Sequence, residues 1–207
     1  MTASPLPSPS SSPSPSPTPT SSPTPVPRPP TDADRARFVS AHRPAGVSDI
    51  HHVAVDVDGD DVEEIVFAMI RDERLRVEVA WWEGTDHAIL AVADGAQANR
   101  IEAIAASDIN ADGQTEIAVR HAGEDRAGLD LWAIVRRVLA EVPGRGGCVK
   151  GNSFGEQGAR LADNDGDDVL EITGTCDGPI GFLRTTVTWR WDGEVYRANE
   201  GNGRRAN

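Results

Sequence analysis

The sequence predicts an all-β protein of about three propeller-like, four-stranded blades. These would form a partial or oligomer-completed β-propeller behind a disordered Pro/Ser/Thr-rich N-terminal linker. Three observations predict it. An acidic segment recurs, beginning at Asp56, Asp108 and Asp163, with starts 52 and then 55 residues apart. A period near 50 residues is the size of a four-stranded blade. Short β-branched runs broken by Gly and Asp fill the intervals. Finally, twelve of the 15 prolines lie within residues 1–30, which separates a linker from a folding unit.

Residues 1–30 alternate Pro with Ser or Thr and carry no apolar periodicity, so burial cannot offset their ordering entropy. A polyproline-II-biased linker is expected there. Residues 31–45 read as a short helix and a connector. Thr31 can cap the helix, and Asp32 and Asp34 lie in its first turn, where the helix dipole favours acids. Residues 46–207 form the repeat domain, in units of about 48–98, 99–150 and 151–200.

In the first unit HHVAVDV, EEIVFAMI, RLRVEVAWW and HAILAVAD have strand length, and DGDD, RDE and EGTD between them have turn chemistry. The third unit offers GARLADN, LEITGTC, LRTTVTWRW and EVYRAN in the same order, with a Trp-Asp-Gly hairpin at 191–193. Alternation there sets Thr186, Thr188 and Arg190 against Val187, Trp189 and Trp191. In the middle unit LDLWAIVRRVLAEV also fits a helical period. The repeat frame reads it as two strands turning near Arg136–Arg137, with Trp132 level with Trp81.

The chain holds 33 Asp+Glu against 20 Lys+Arg, a formal charge of -13, which argues against nucleic acid or an anionic membrane as partner. No run approaches the roughly 18–20 apolar residues that span a bilayer. No basic stretch followed by an apolar one marks a signal peptide. A linker of this composition commonly spaces a domain from a wall or membrane. An extracytoplasmic location, secreted or surface-tethered, is therefore expected, with an export or anchor segment ahead of residue 1. A cytoplasmic protein with a disordered N-terminus is the alternative. Cys148 and Cys176 can form one disulfide, which fits export, or stay two buried thiols.

Each acidic segment has Asp first, Asp or Asn third, Asp fifth, and Glu ninth followed by Ile. Carboxylates at alternate positions repel, and a hard divalent cation answers that repulsion with 6–8 oxygen ligands. Backbone carbonyls at the seventh position (Val62, Gln114, Val169) and carboxylates at the ninth (Glu64, Glu116, Glu171) complete the cage. Up to three Ca²⁺ are expected, in preference to Mg²⁺, which keeps its waters. An EF-hand fails on spacing, because its twelfth position falls on Phe67, Val119 or Gly174. Fourteen of the 33 acids lie in these loops, so much of the net charge is local.

These loops resemble the calcium-binding repeats of integrin-α-type β-propellers, the FG-GAP and VCBS family, and Phe154-Gly155 resembles its Phe-Gly. The resemblance covers about residues 48–198. It implies an acidic loop between the first two strands of each blade. It also implies the ligands Asp56, Asp58, Asp60 and Glu64; Asp108, Asn110, Asp112 and Glu116; and Asp163, Asp165, Asp167 and Glu171. The sixth position, usually Gly, is Gly113 in the second loop but Asp61 and Asp168 in the others. The first two units lack the Phe-Gly, and three blades are fewer than the family's usual seven or so.

No catalytic constellation emerges. Gly151 to Gly155 matches the nucleophile-elbow spacing around Ser153, yet no helix follows and all five histidines precede it, so Ser153 reads as a turn residue. His51 and His52 are adjacent on a strand and point to opposite faces. The tryptophans at 81, 82, 132, 189 and 191 read as packing between blades rather than a sugar platform. The expected function is a non-enzymatic, calcium-binding domain for protein or glycan binding or surface display. The alternatives are a secreted Ca²⁺-dependent hydrolase or lyase acting on polysaccharide or phospholipid, and a homo-oligomer assembled through open blade edges.

Overall fold

The computed structural model describes residues 28–124, 126–177 and 184–199. The linker expectation falls outside these residues except at 28–30. Helix α1 spans Asp32–Ala41 and begins with a capping box: Asp34 N donates to Thr31 Oγ1, and Thr31 N donates to the Asp34 carboxylate. Among the described residues no helix is long and apolar enough to cross a membrane.

The rest is β-structure. Strands β1 (Val47–Val55), β2 (Glu64–Arg71), β3 (Arg74–Trp82) and β4 (His87–Gln97) form one antiparallel sheet in chain order. Strands β5 (Arg100–Ser107), β6 (Glu116–Ala122), β7 (Ala127–Val135) and β8 (Val138–Glu141) form a second. Two-residue strands β9 (Gly144–Arg145) and β10 (Ser153–Phe154) precede β11 (Ala159–Ala162), β12 (Glu171–Asp177), β13 (Arg184–Trp191) and β14 (Tyr196–Ala198), the core of the third sheet.

The ambiguous segment of the middle unit is a hairpin. Arg136 and Arg137, at φ 51 and 62, turn β7 into β8, just as Asp72 and Glu73, at φ 51 and 60, turn β2 into β3. Two left-handed residues in a two-residue loop give the turn whose twist matches the flanking strands.

The boundary drawn at 150/151 does not follow sheet membership. β9 crosses forward and pairs in parallel with β14, while β10 crosses back and pairs with β7, setting Ser153 opposite Asp130. The two short strands interlock the second and third sheets. The Cys148–Cys176 disulfide ties the same segment to β12, with a Cα–Cα distance of 5.5 Å. Neither exchange was visible in sequence, since two-residue strands carry no period.

The three sheets stack face to face behind α1. Phe38 and Val39 of α1 cover Ile65, Phe67, Met69 and Ala80. The opposite face of that sheet (Val66, Ala68, Val77, Val79, Trp81) meets Ile117, Val119, Trp132 and Ile134 of the second. The other face of the second sheet (Ala118, Leu129, Leu131) meets Phe154, Ile172, Trp189 and Tyr196. β2 is therefore buried on both faces, at every position but its last.

Among the described residues the stack ends at the third sheet. Its outer face carries Thr173, Thr175, Thr186, Thr188 and Arg190, the alternation expected for β13. Trp81, Trp132 and Trp189 are fully buried between layers.

The level placement of Trp81 and Trp132 needs correction. Trp132 and Trp189 lie opposite Ile117 and Ile172, but the residue opposite Ile65 is Ala80. A one-residue offset reverses a strand's faces. Trp81 and Trp132 therefore fill one layer from opposite sides, and the small Ala80 is left beneath α1.

Candidate metal centre

Each acidic segment is the connection between the first two full strands of its sheet: 56–63 joins β1 to β2, 108–115 joins β5 to β6, and 163–170 joins β11 to β12. The loops share three sets of hydrogen bonds. The first-position Asp gathers amides from across the turn: Asp56 from Gly59, Asp60 and Asp61, Asp108 from Asp112 and Gly113, and Asp163 from Gly166 and Asp168. The fifth-position Asp accepts the seventh-position amide, from Val62, Gln114 and Val169, at 2.8, 2.9 and 3.0 Å. The ninth-position Glu accepts the second-position amide, at 3.0 Å for Glu64 from Val57 and 2.8 Å for Glu116 from Ile109 and Glu171 from Asn164. The last bond swings each glutamate back under its own loop.

The turns are tight because two positions are left-handed. The sixth-position residues Asp61, Gly113 and Asp168 take φ 65, 84 and 65, so Asp fills the place usually held by Gly. The fourth position is left-handed as well, in Gly59, Ala111 and Gly166. Sequence reasoning missed this requirement, although two of the three residues there are glycines.

The structure brings together part of the expected ligand set in the first and third loops, while the carboxylates of the second loop, Asp108, Asp112 and Glu116, do not form such a triad. One carboxylate oxygen from each of Asp56, Asp58 and Glu64 lies within 4.8 Å of the others, and Asp163, Asp165 and Glu171 do the same. Asp60 and Asp167 are not in these triads. In the second loop the third position is Asn110, whose Oδ1 accepts from Asp112 N and whose Nδ2 donates to Asp112 Oδ2. Asp108, Asp112 and Glu116 supply its charge.

The loops differ in how that charge is answered. Arg137, from the β7–β8 turn, lies 3.8 Å from Asp58, and Trp81 Nε1 donates to the same carboxylate at 3.2 Å. Arg190 of β13 lies 3.0 Å from Asp165 and 3.8 Å from Glu171. Among the described residues no ion pair reaches the second loop. There Glu116 is fully buried and its Oε1 has no hydrogen-bond partner. An orphaned buried carboxylate oxygen is costly.

The electrostatics follow. Burial, with Asp58, Asp60 and Asp56 adding repulsion, pushes Glu64 up to about 7. Burial, with Asp112 and Asp108, pushes Glu116 up to about 7. Desolvation and the carboxylates of Asp167 and Glu171 raise Asp165. Oxygen-only donors, a surplus of carboxylate and an unsatisfied buried oxygen fit a hard divalent cation.

The other residues singled out in the sequence lie elsewhere. Phe154 is a core residue, edge-on to Trp189 and Tyr196. Ser153 sits in the Lys150–Ser153 turn beside Asp130. His51 is partly buried and His52 is exposed on β1. Sequence reasoning also missed two buried carboxylate–histidine pairs. Glu78 of β3 meets His42 at 2.9 Å, and Asp130 of β7 meets His121 at 2.9 Å. Compared with family models, curated proteins and solved structures, the chain matches none of them.

Proposed function

We propose that the three acidic loops bind Ca²⁺ and that the chain is a non-enzymatic, calcium-stabilised domain of the FG-GAP and VCBS kind, its sheets serving as blades. The observation that carries this reading is the buried, unpartnered oxygen of Glu116 in a loop that no ion pair reaches among the described residues. In the second loop Asp108, Asp112 and Glu116 would hold the ion with the Asn110 and Gln114 oxygens; the triads around Glu64 and Glu171 would hold the others. Bound Ca²⁺ supplies positive charge where carboxylates converge, so metal binding is coupled to folding. The Pro-rich segment would then display the domain outside the cytoplasm, for binding a protein or glycan. Calorimetric titration of the purified chain with Ca²⁺, beside thermal melts in Ca²⁺ and in chelator, tests the proposal. Saturable binding and a raised midpoint support it, and an unchanged midpoint sinks it.

A second reading, self-assembly, is favoured by one observation. β4 is an edge strand of the first sheet and exposes Leu90 and Val92. Pairing through β4 is a better route than closing two copies into a six-bladed ring. The ring would displace α1 and bury the threonines and Arg190 of the third sheet. Native mass across a concentration series decides: a concentration-dependent dimer abolished by Val92→Lys supports edge pairing, and a monomer throughout removes it.

A further inference from the structure

Helix α1 does for the first sheet what each sheet does for the next, covering an apolar face that would otherwise lie open. Its hold on that face includes an unusual element. His87, the first residue of β4, is buried beneath α1, and neither ring nitrogen has a hydrogen-bond partner. The imidazole is enclosed by rings, with Phe38 of α1 at 5.1 Å and Trp82 of β3 at 5.0 Å. A neutral imidazole tolerates such a place; an imidazolium with two unanswered N–H donors does not.

We propose that α1 is an acid-released cap, and that protonation of His87 lifts it from the first sheet and uncovers the face formed by Ile65, Phe67, Met69 and Ala80.

The charged groups around His87 do not rescue the imidazolium. From α1, Asp34 favours the charged form while Arg35 and Arg37 oppose it; Asp86, next in the chain, favours it. Burial outweighs all four and lowers the basicity of the ring. These neighbours are also engaged: Arg37 with Asp86 at 3.6 Å and Asp34 at 3.8 Å, Arg35 with Glu63 at 3.4 Å, and Asp34 with Arg28 at 2.8 Å. The one other histidine in the contact is His42, stacked near Phe38 and bonded to Glu78, which also holds Arg76 at 2.7 Å. The His42–Glu78 bond is common to the wild type and to His87→Phe, so comparing the two isolates the contribution of His87. On the sheet side Phe67 and Ile89 are apolar and offer the imidazolium no acceptor.

The sign follows from linkage. The released state titrates near 6.5, the ordinary value for histidine, and the capped state titrates lower. The cap is therefore stable above about 6.5 and loosens as the pH falls below it. Its opening constant rises by at most about tenfold per pH unit until the capped value is reached. The carboxylates of the metal loops are kept constant by working throughout in saturating Ca²⁺.

The test is hydrogen exchange of the α1 amides in the full chain between pH 7.5 and 5.0, corrected for the pH dependence of chemical exchange. In the wild type the opening of residues 32–41 should rise several-fold toward pH 5.0, with the β6 and β7 amides unchanged. In His87→Phe, which keeps an aromatic ring and removes no hydrogen bond, the rise should vanish. An equal rise in both proteins overturns the proposal. Because the variant can fail to fold, the wild-type His87 ring is also titrated by NMR. A midpoint below 6.5 supports the cap, and one at or above 6.5 overturns it.

Discussion

Glu78 and Asp130 occupy one register position in two different sheets: Glu78 lies opposite Phe67 across β2–β3, and Asp130 lies opposite Val119 across β6–β7. Both are buried carboxylates bonded to a histidine, and both reach toward the layer in front. Glu78 reaches His42 at the end of α1. Asp130 also accepts from Ala96 N of β4, so it pins the second sheet to the first. Gly95 makes the approach possible, since a Cβ there would lie 2.5 Å from the Asp130 carboxylate. In the third sheet the corresponding residue is Val187, opposite Gly174. The polar pin is thus used where a sheet receives α1 or β4.

Asp130→Ala should therefore be severe. It leaves the Ala96 amide and the His121 ring nitrogen unpaired, and each unsatisfied buried polar group costs about 1–3 kcal/mol. Urea unfolding of Asp130→Ala beside His121→Ala and the double variant measures the coupling. Additive losses would show that the two side chains act independently, against the arrangement described.

The glutamates of the first two loops predict an inverted pH dependence for the metal-free protein. Glu64 and Glu116 titrate near 4.5 when unfolded and at about 7 when folded, so the folded state binds more protons between those values. Their contribution to stability is complete below about 4.5 and is lost as the pH rises through about 7. The slope is at most about 1.4 kcal/mol per pH unit for each glutamate. In chelator, the melting temperature should decline from pH 5 to pH 7.5. Glu64→Gln with Glu116→Gln should flatten the decline, and Ca²⁺ affinity should strengthen over the same interval as protons leave. A wild-type midpoint that climbs steadily with pH in chelator would count against both assignments.

The unequal use of arginine predicts unequal sites. In the third loop an incoming cation must displace Arg190 from Asp165 and Glu171. The pair is partly exposed, so its worth is only about 0.2–1 kcal/mol. Arg190→Gln should then strengthen Ca²⁺ binding at the third loop by at most about fivefold while leaving the second loop unchanged. Calorimetric titration of the wild type and the variant reads this directly, and weaker binding in Arg190→Gln would show instead that the arginine helps to build the site.

Much of this architecture was legible because it is local. Asp at the first and fifth positions and Glu at the ninth state the loop's hydrogen bonding in residue types, and alternation in RTTVTWRW states which face of β13 is wet. The hairpin at Arg136–Arg137 was legible only through the repeat frame, since Trp132, Val135, Leu139 and Val142 also satisfy a helical period. What stayed hidden depends on partners distant in sequence. Nothing near Glu78 announces that His42 lies against it, 36 residues away. The offset of Trp81 from Trp132 reflects a choice of face that only packing against α1 and the second sheet makes. The exchange of β9 and β10 rests on two residues apiece, below any pattern a sequence can display.

The disulfide supplies the last prediction, because it lies where that exchange occurs. Cys148 follows β9 and precedes β10, and its bond to Cys176 anchors the segment on β12. Gly147, at φ 62, passes so close to Trp189 that a Cβ would lie 2.8 Å from the ring, and Trp189 Nε1 donates to Gly146 O at 3.0 Å. The crossing segment is thus clamped by a covalent bond, a close approach and a hydrogen bond at neighbouring residues. Opening the bond frees a loop spanning 28 residues in the unfolded chain, a loss of roughly 3–4 kcal/mol in the chain-entropy account. Cys148→Ser with Cys176→Ser should lower stability by about that amount. Hydrogen exchange should accelerate first in β9, β10 and β14 while α1 and the first sheet keep their protection. Uniform acceleration across all three sheets would mean that the bond stabilises the whole stack rather than the interlock between its last two layers.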